Sequence, residues 1–125
     1  MSLKIYESNG VVKSYRHFVT TIICENVNIT FKVDPILCGS FDAFINLLTN
    51  ETTDTVEQCV CMYKNIYTII TLTKTYISVK LIHSINDESQ LVLNETNINY
   101  CSQSIPELIE TFKSLTEFVK NKKRP

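Results

Sequence analysis

The chain has 125 residues, of which 44% are hydrophobic and 20% are charged, so it can bury one core without disulfides or metals. The net charge of −1 and the sequence pI near 6.1 argue against a general nucleic-acid binder, which needs a strongly basic surface. The sequence has no secretory signal at its start and no apolar run of about 20 residues, so we expect an intracellular protein of the cytoplasm or nucleus. Abundant Ile, Asn, Thr and Lys are typical of AT-rich genomes, including those of many viruses.

The first half of the chain predicts strands followed by a short helix. Residues 3–6 are expected to form a short strand, and residues 18–24 are rich in β-branched side chains. Residues 27–33 alternate between apolar and polar, which predicts a half-buried strand paired with 18–24 as a hairpin. After Asp34-Pro35, apolar residues recur at helical spacing from Phe41 to Leu48, which predicts a short helix.

The middle of the chain predicts a β-meander. Strands are expected at about 56–63, 66–73 and 76–83, with tight reversals between them, and a further short strand at 91–93. The middle strand is apolar on both faces, which indicates a central position in the sheet.

The last element is predicted to be an amphipathic helix. Ser104, Pro106 and Glu107 form a helix start. The helix then has one apolar stripe, made of Ile105, Leu108, Ile109, Phe112, Leu115 and Val119. The sequence therefore predicts one α+β domain over residues 1–125. In this domain, the C-terminal helix packs across an antiparallel sheet. The sheet is made of the N-terminal hairpin and the β-meander, and a short helix lies between these two in the chain.

This order of elements resembles three known groups. They are the pleckstrin-homology-like domains, the sandwich heads of end-joining scaffold and centriole cartwheel proteins, and one half of a sliding-clamp subunit. Because proteins of one fold carry unrelated functions, the resemblance predicts no site residues.

The cysteines are the first candidates for chemistry. Cys59 and Cys61 are two residues apart on a predicted strand, so simple alternation would place both sulfurs on one face. A metal site would need further ligands, which could come from His17, His83, Cys24, Cys38 and Cys101. The spacing fits no zinc pattern, so we interpret the cysteines as core residues and predict no metal or cofactor. A small enzyme that uses Cys59, Cys61 or His83 is a third hypothesis for the function, although no orienting acid is apparent in the sequence.

Acidic residues of the last helix are the second candidates. Glu107, Glu110 and Glu117 are predicted to lie on its exposed side, where they can pair with Lys113 and Lys120. Paired catalytic carboxylates usually lie in a pocket, so we interpret these glutamates as a solvated helix face.

Basic and aromatic side chains alternate along the predicted meander. The possible interaction surface consists of Lys64, Tyr67, Lys74, Tyr76 and Lys80. Such a surface could stack and neutralise single-stranded nucleic acid, or it could contact another protein. Two glycines are too few for a phosphate-binding loop, and no G-x-S-x-G or H-E-x-x-H motif occurs. We therefore expect a non-enzymatic protein-interaction module (an adaptor, inhibitor or assembly subunit), whose partner is another protein or a second copy. The alternative is a nucleic-acid-binding domain that uses the meander surface.

Overall fold

The computed structural model describes residues 2–7, 18–24, 27–49, 53–86 and 89–123. Within these ranges the chain forms two antiparallel sheets and two α-helices, which confirms the predicted α+β class. The elements are β1 (Ser2–Glu7), β2 (Phe18–Cys24), β3 (Val27–Val33), α1 (Asp42–Thr49), β4 (Thr55–Tyr63), β5 (Ile66–Thr73), β6 (Tyr76–Asn86), β7 (Ser89–Asn99) and α2 (Ile105–Lys123).

The first sheet has three strands in the order β1-β2-β3. The predicted hairpin pairs β2 with β3 from Phe18↔Val33 to Cys24↔Val27, and β1 adds to the other side of β2. Along β3 every second residue is buried, as the alternation in the sequence predicts. The buried side chains of β3 face the second sheet and the helices.

The second sheet is the predicted meander, in the order β4-β5-β6-β7. Lys64 and Asn65 join β4 to β5 with φ angles of 51° and 64°, which is the geometry of a type I′ turn. Strand β7 extends over 11 residues, whereas the sequence predicted a strand only at 91–93. Residues 94–99 are mostly polar and have no apolar alternation, so their strand conformation comes from pairing with β6.

Both helices share one core with the two sheets. The rings of Phe41, Phe44 and Phe112 form a cluster, with centroids 5.2–5.9 Å apart. The apolar stripe of α2 packs into this core, which confirms the predicted packing of the last helix. Leu108, Phe112, Leu115 and Val119 are fully buried, whereas Ile105 and Ile109 are partly buried. Aromatic contacts of this kind stabilise a fold beyond the effect of buried area alone.

The helices lie toward one end of the four-stranded sheet. Lys74, in the turn between β5 and β6, donates a 2.7 Å hydrogen bond from Nζ to the carbonyl of Leu47 in α1. The residues that β5 and β6 contribute to the core lie in the halves of the strands nearest this turn. The opposite end, at which β4 turns into β5 and β6 turns into β7, is called the hairpin end below.

Candidate protein-interaction surface

Exposed apolar side chains are concentrated at the hairpin end. Of the eight large hydrophobic side chains that are exposed in the described residues, six lie there. They are Met62, Ile66, Ile85, Leu91, Val92 and Leu93. Single exposed apolar residues are normal on a protein surface, but a group of six at one end of a sheet is a feature of interaction sites.

The strand register arranges part of this group in a row across the outer face of the sheet. Met62 lies opposite Tyr67, Tyr67 opposite Ile82, and Ile82 opposite Val92. Side chains that are directly opposite in adjacent strands point to the same face. Met62, Tyr67, Ile82 and Val92 therefore form one apolar row across all four strands, which we call the outer row.

A second row lies on the inner face at the same end. In this row, Tyr63 lies opposite Ile66, Ile66 opposite His83, and His83 opposite Leu91. The two rows make the hairpin end apolar on both faces of the sheet. His83 lies in this row between Ile66 and Leu91.

Two β-bulges leave further apolar residues without a ladder partner at this end. Ile85 has no partner in the ladder between Ser84↔Gln90 and Asn86↔Ser89, and Leu93 has none between Val92 and Asn94. Ile85 is 60% exposed, and Leu93 is about half exposed. Bulges redirect side chains and are often found near functional sites.

A cleft of about 370 Å³ opens beside the hairpin end, between the two sheets. Phe31 of β3 forms one wall, while Tyr63, Ile66, Leu81 and Leu93 of the four-stranded sheet form the other. Its volume is at the lower end of the range for small-molecule pockets, which is enough for one or two large side chains.

Strand β7 forms the outer edge of the four-stranded sheet. All of its residues except Ile98 are exposed. Glu95 is its one charged residue, and Glu95 is already engaged with Lys80 at 3.9 Å. Edge strands are usually protected from pairing with other chains by lysines, prolines or short length, and β7 has none of these. The bulge at Leu93 is a different protective feature, and β7 does carry it.

The structure divides the predicted interaction surface between the two ends of the sheet. Lys64 lies in the turn at the hairpin end, with its Nζ 5.4 Å from the ring centroid of Tyr63, and Tyr67 belongs to the outer row. Lys80 lies on the same face, one row further along. Lys74 and Tyr76 lie at the opposite end, beside the helices. The sequence could not separate these groups, because strand alternation says nothing about which end of a sheet is covered.

The prediction that Cys59 and Cys61 share a face is wrong. Cys59 lies opposite Ile69 and Cys61 lies opposite Thr68, with a bulge between them, so the two cysteines point to opposite faces. The extra residue, Val60, is fully buried in the core. Cys61 is buried beside the cleft, while Cys59 is half-buried and its Sγ lies 3.5 Å from the carbonyl of Cys61.

Cys38 is a further candidate that the sequence analysis named as a metal ligand. Cys38 is buried, where its Sγ accepts a 2.8 Å hydrogen bond from Gln58, and burial raises its pKa to about 11. Burial likewise raises the pKa of Cys59. No cluster of three or more His, Cys, Asp or Glu side chains suited to a metal ion occurs in the described ranges. His17 lies outside those ranges, as does the side chain of Cys24.

The glutamates of α2 are placed as the sequence predicts. Glu110 and Glu117 are exposed, Glu107 is half-buried, and Glu110 lies 3.8 Å from Lys113. This ion pair on an open helix face is expected to contribute little to stability.

No protein-family model, curated protein or solved structure matches this chain. Within the part of the chain that the structure describes, no helix has the length and apolar character that a membrane span requires.

Proposed function

We propose that this chain is a non-enzymatic protein-interaction module that binds its partner through the hairpin end of the four-stranded sheet. The observation that carries the proposal is that six of the eight large apolar side chains exposed in the described part of the chain lie at that one end. Unlike the apolar residues of the core, these residues keep 37–60% of their surface exposed to water after folding. Burial against a partner is the process that would stabilise them.

The size of this surface suits an interface. The exposed parts of the six side chains amount to roughly 500 Å² of apolar area, divided between the two faces of the hairpin end. A standard interface buries about 800 Å² on each partner, with a polar rim around an apolar centre. Polar neighbours such as Gln90, Asn94 and Lys64 can supply that rim.

The chemistry of the cysteines supports a role without catalysis. A catalytic cysteine needs a lowered pKa and access to its substrate. The pKa values of Cys38 and Cys59 are instead raised, and Cys61 is buried on the other face from Cys59. We accordingly retain the intracellular location as part of the proposal, because buried reduced thiols are typical of that compartment.

A nucleic-acid interface on the meander is less well supported by the geometry. Tyr67 and Tyr76 are about 20 Å apart along the sheet, which is too far to stack neighbouring bases. Lys74 is bonded to the end of α1, and Lys80 is paired with Glu95. The surface therefore offers no continuous basic track to a phosphate backbone.

The proposal is tested by removing the apolar character of the hairpin end. In one variant Leu91→Ser and Leu93→Ser are combined. In the matched control, Ile36→Ser and Leu37→Ser change the two exposed apolar residues that lie elsewhere. We expect the hairpin-end variant to lose at least about tenfold in binding to any partner or second copy, while the control keeps it.

The proposal is contradicted if both variants retain every association of the unaltered chain. It is also contradicted if purified chain shows an enzymatic activity that Cys59→Ser or Cys61→Ser abolishes. Salt-dependent binding of single-stranded nucleic acid that Tyr67→Ala weakens would favour the nucleic-acid alternative.

A further inference from the structure

We infer that the partner of the hairpin end is a second copy of this chain, joined by antiparallel pairing of β7 with β7. This inference rests on the proposed function and assigns its partner. The pairing would convert two four-stranded sheets into one continuous sheet of eight strands around a twofold axis. An antiparallel pair of identical strands has that symmetry by construction, so it closes as a dimer without forming a filament.

The backbone of β7 provides the first argument. The strand lies at the edge of its sheet, and 10 of its 11 residues are exposed. The N–H and C=O groups on its outer side are therefore available to an added strand, which is the basis of recognition by strand addition.

The charge of β7 argues for a second copy rather than a charged partner. Its one charged residue, Glu95, is paired with Lys80 of the same chain, so β7 offers no counter-charge to a charged strand. An uncharged, apolar strand is the complement that fits, and residues 91–93 of a second copy have this character.

The positions of the charged and apolar residues in β7 also select the register in which the two copies of the strand would pair. With Val92 opposite Val92 of the second copy, Leu91 lies opposite Leu93, and Glu95 lies opposite the uncharged Ser89. A register centred on Glu95 would place two carboxylates directly opposite each other, which is destabilising. In the register centred on Val92, the outer row continues from one sheet into the other as a single apolar band.

The area is adequate for a reversible dimer. Leu91, Val92 and Leu93, which lie on the pairing strand itself, expose roughly 300 Å² of apolar surface per chain, and the strand backbone adds to it, so the interface belongs to the small and weak class. We therefore expect a dissociation constant in the range of about 1–100 µM.

The first test measures mass by light scattering at about 5–500 µM, together with Val92 substitutions. We expect the unaltered chain to dimerise as concentration rises, and Val92→Lys or Val92→Glu to weaken the dimer at least tenfold, because each places like charges opposite one another. An equimolar mixture of the two variants is expected to restore dimers. That restoration distinguishes a lost interface from a lost fold, and Leu37→Lys, which alters a surface outside the hairpin end, is expected to leave the dimer unchanged.

The second test fixes the register by disulfide formation. Val92→Cys is expected to form an interchain disulfide under mild oxidation, since the two Cα atoms would be about 4.5–5.5 Å apart. Asn97→Cys, on the same face of β7, is the matched control. It would be about 34 Å from its counterpart and is expected not to crosslink.

A monomer at every concentration overturns the self-pairing, as does crosslinking of Asn97→Cys in place of Val92→Cys. Neither result overturns the interaction role of the hairpin end. That role fails separately, when the Leu91 and Leu93 variant keeps all associations of the unaltered chain.

Discussion

Thr116 joins the two helices through one hydroxyl group. Its Oγ1 accepts a 3.0 Å hydrogen bond from the backbone N–H of Phe41, immediately before α1, and donates a 2.8 Å bond to the carbonyl of Phe112. Both ends of this bridge are buried, so the N–H of Phe41 has no access to water. A single side chain of α2 thus fixes the position at which α1 begins.

We predict that Thr116→Val lowers the free energy of unfolding by about 1–3 kcal/mol, because it leaves the buried N–H of Phe41 without an acceptor. Denaturant unfolding measures this loss. Ser114→Ala, at an exposed position on the same helix, is the control and is expected to change stability by less than about 0.5 kcal/mol. Equal effects of the two substitutions would contradict the role of the bridge.

Cys38 makes stability depend on pH in the alkaline range. Burial raises the pKa of its thiol from 9.0 to about 11, so the folded state holds the proton over a range in which the unfolded state releases it. The contribution of this thiol to the free energy of unfolding is fully present below pH 9. It is lost as the pH rises toward 11, because the unfolded chain then releases a proton that the folded chain retains. We predict a steeper loss of stability between pH 9 and 11 in the unaltered chain than in Cys38→Ala. Parallel curves for the two proteins, measured by urea unfolding, would contradict this account.

At the scale of elements, the β4–β5 turn is under backbone strain. Lys64 and Asn65 both have positive φ angles, which cost free energy in residues that carry a Cβ atom. Asn-Gly is the dipeptide that suits a type I′ turn, because glycine adopts this conformation without steric cost.

We predict that the double change Lys64→Asn and Asn65→Gly stabilises the chain by about 1 kcal/mol, seen as a rise of a few degrees in the unfolding temperature. Lys64→Ile is expected to have the opposite effect and destabilise the chain, since a residue with a β-branched side chain tolerates a positive φ angle poorly. A fall in unfolding temperature on introducing Asn-Gly would show that the strain is absent.

The elements differ in how far the sequence predicts them. Strand β3 and the buried stripe of α2 follow directly from apolar periodicity, because each has one face in water and one in the core. Strand β7 is exposed along nearly its whole length, so no periodicity marks residues 94–99 as a strand. The bulge between Cys59 and Cys61 has no sequence signal either, because it results from Val60 entering the core.

Only part of the hairpin end is among the residues that the sequence singled out as a possible interaction surface. Tyr67 and Lys64 were identified from composition, and they lie at the hairpin end. Residues 91–93 were identified only as a strand, since an apolar triplet is as typical of a buried strand as of an exposed one. Their exposure follows from the edge position of β7 and from the location of the helices at the other end of the sheet.

At the scale of the whole molecule, the two ends of the four-stranded sheet differ in how far they are buried. One end is covered by α1 and α2, with the phenylalanine cluster beneath them. The hairpin end has an open cleft, two apolar rows and an exposed edge strand. We interpret the first end as the source of stability and the second as the surface for binding.

Hydrogen exchange of the β7 amides, compared between dilute and concentrated purified chain, tests this account most directly. Amides on the outer side of an edge strand exchange rapidly unless another strand pairs with them. The account predicts that exchange in residues 89–95 slows at least tenfold as concentration rises, whereas β1 and β2 are unchanged. Rapid exchange throughout β7 at every concentration, or equal slowing in all strands, would contradict binding through this edge.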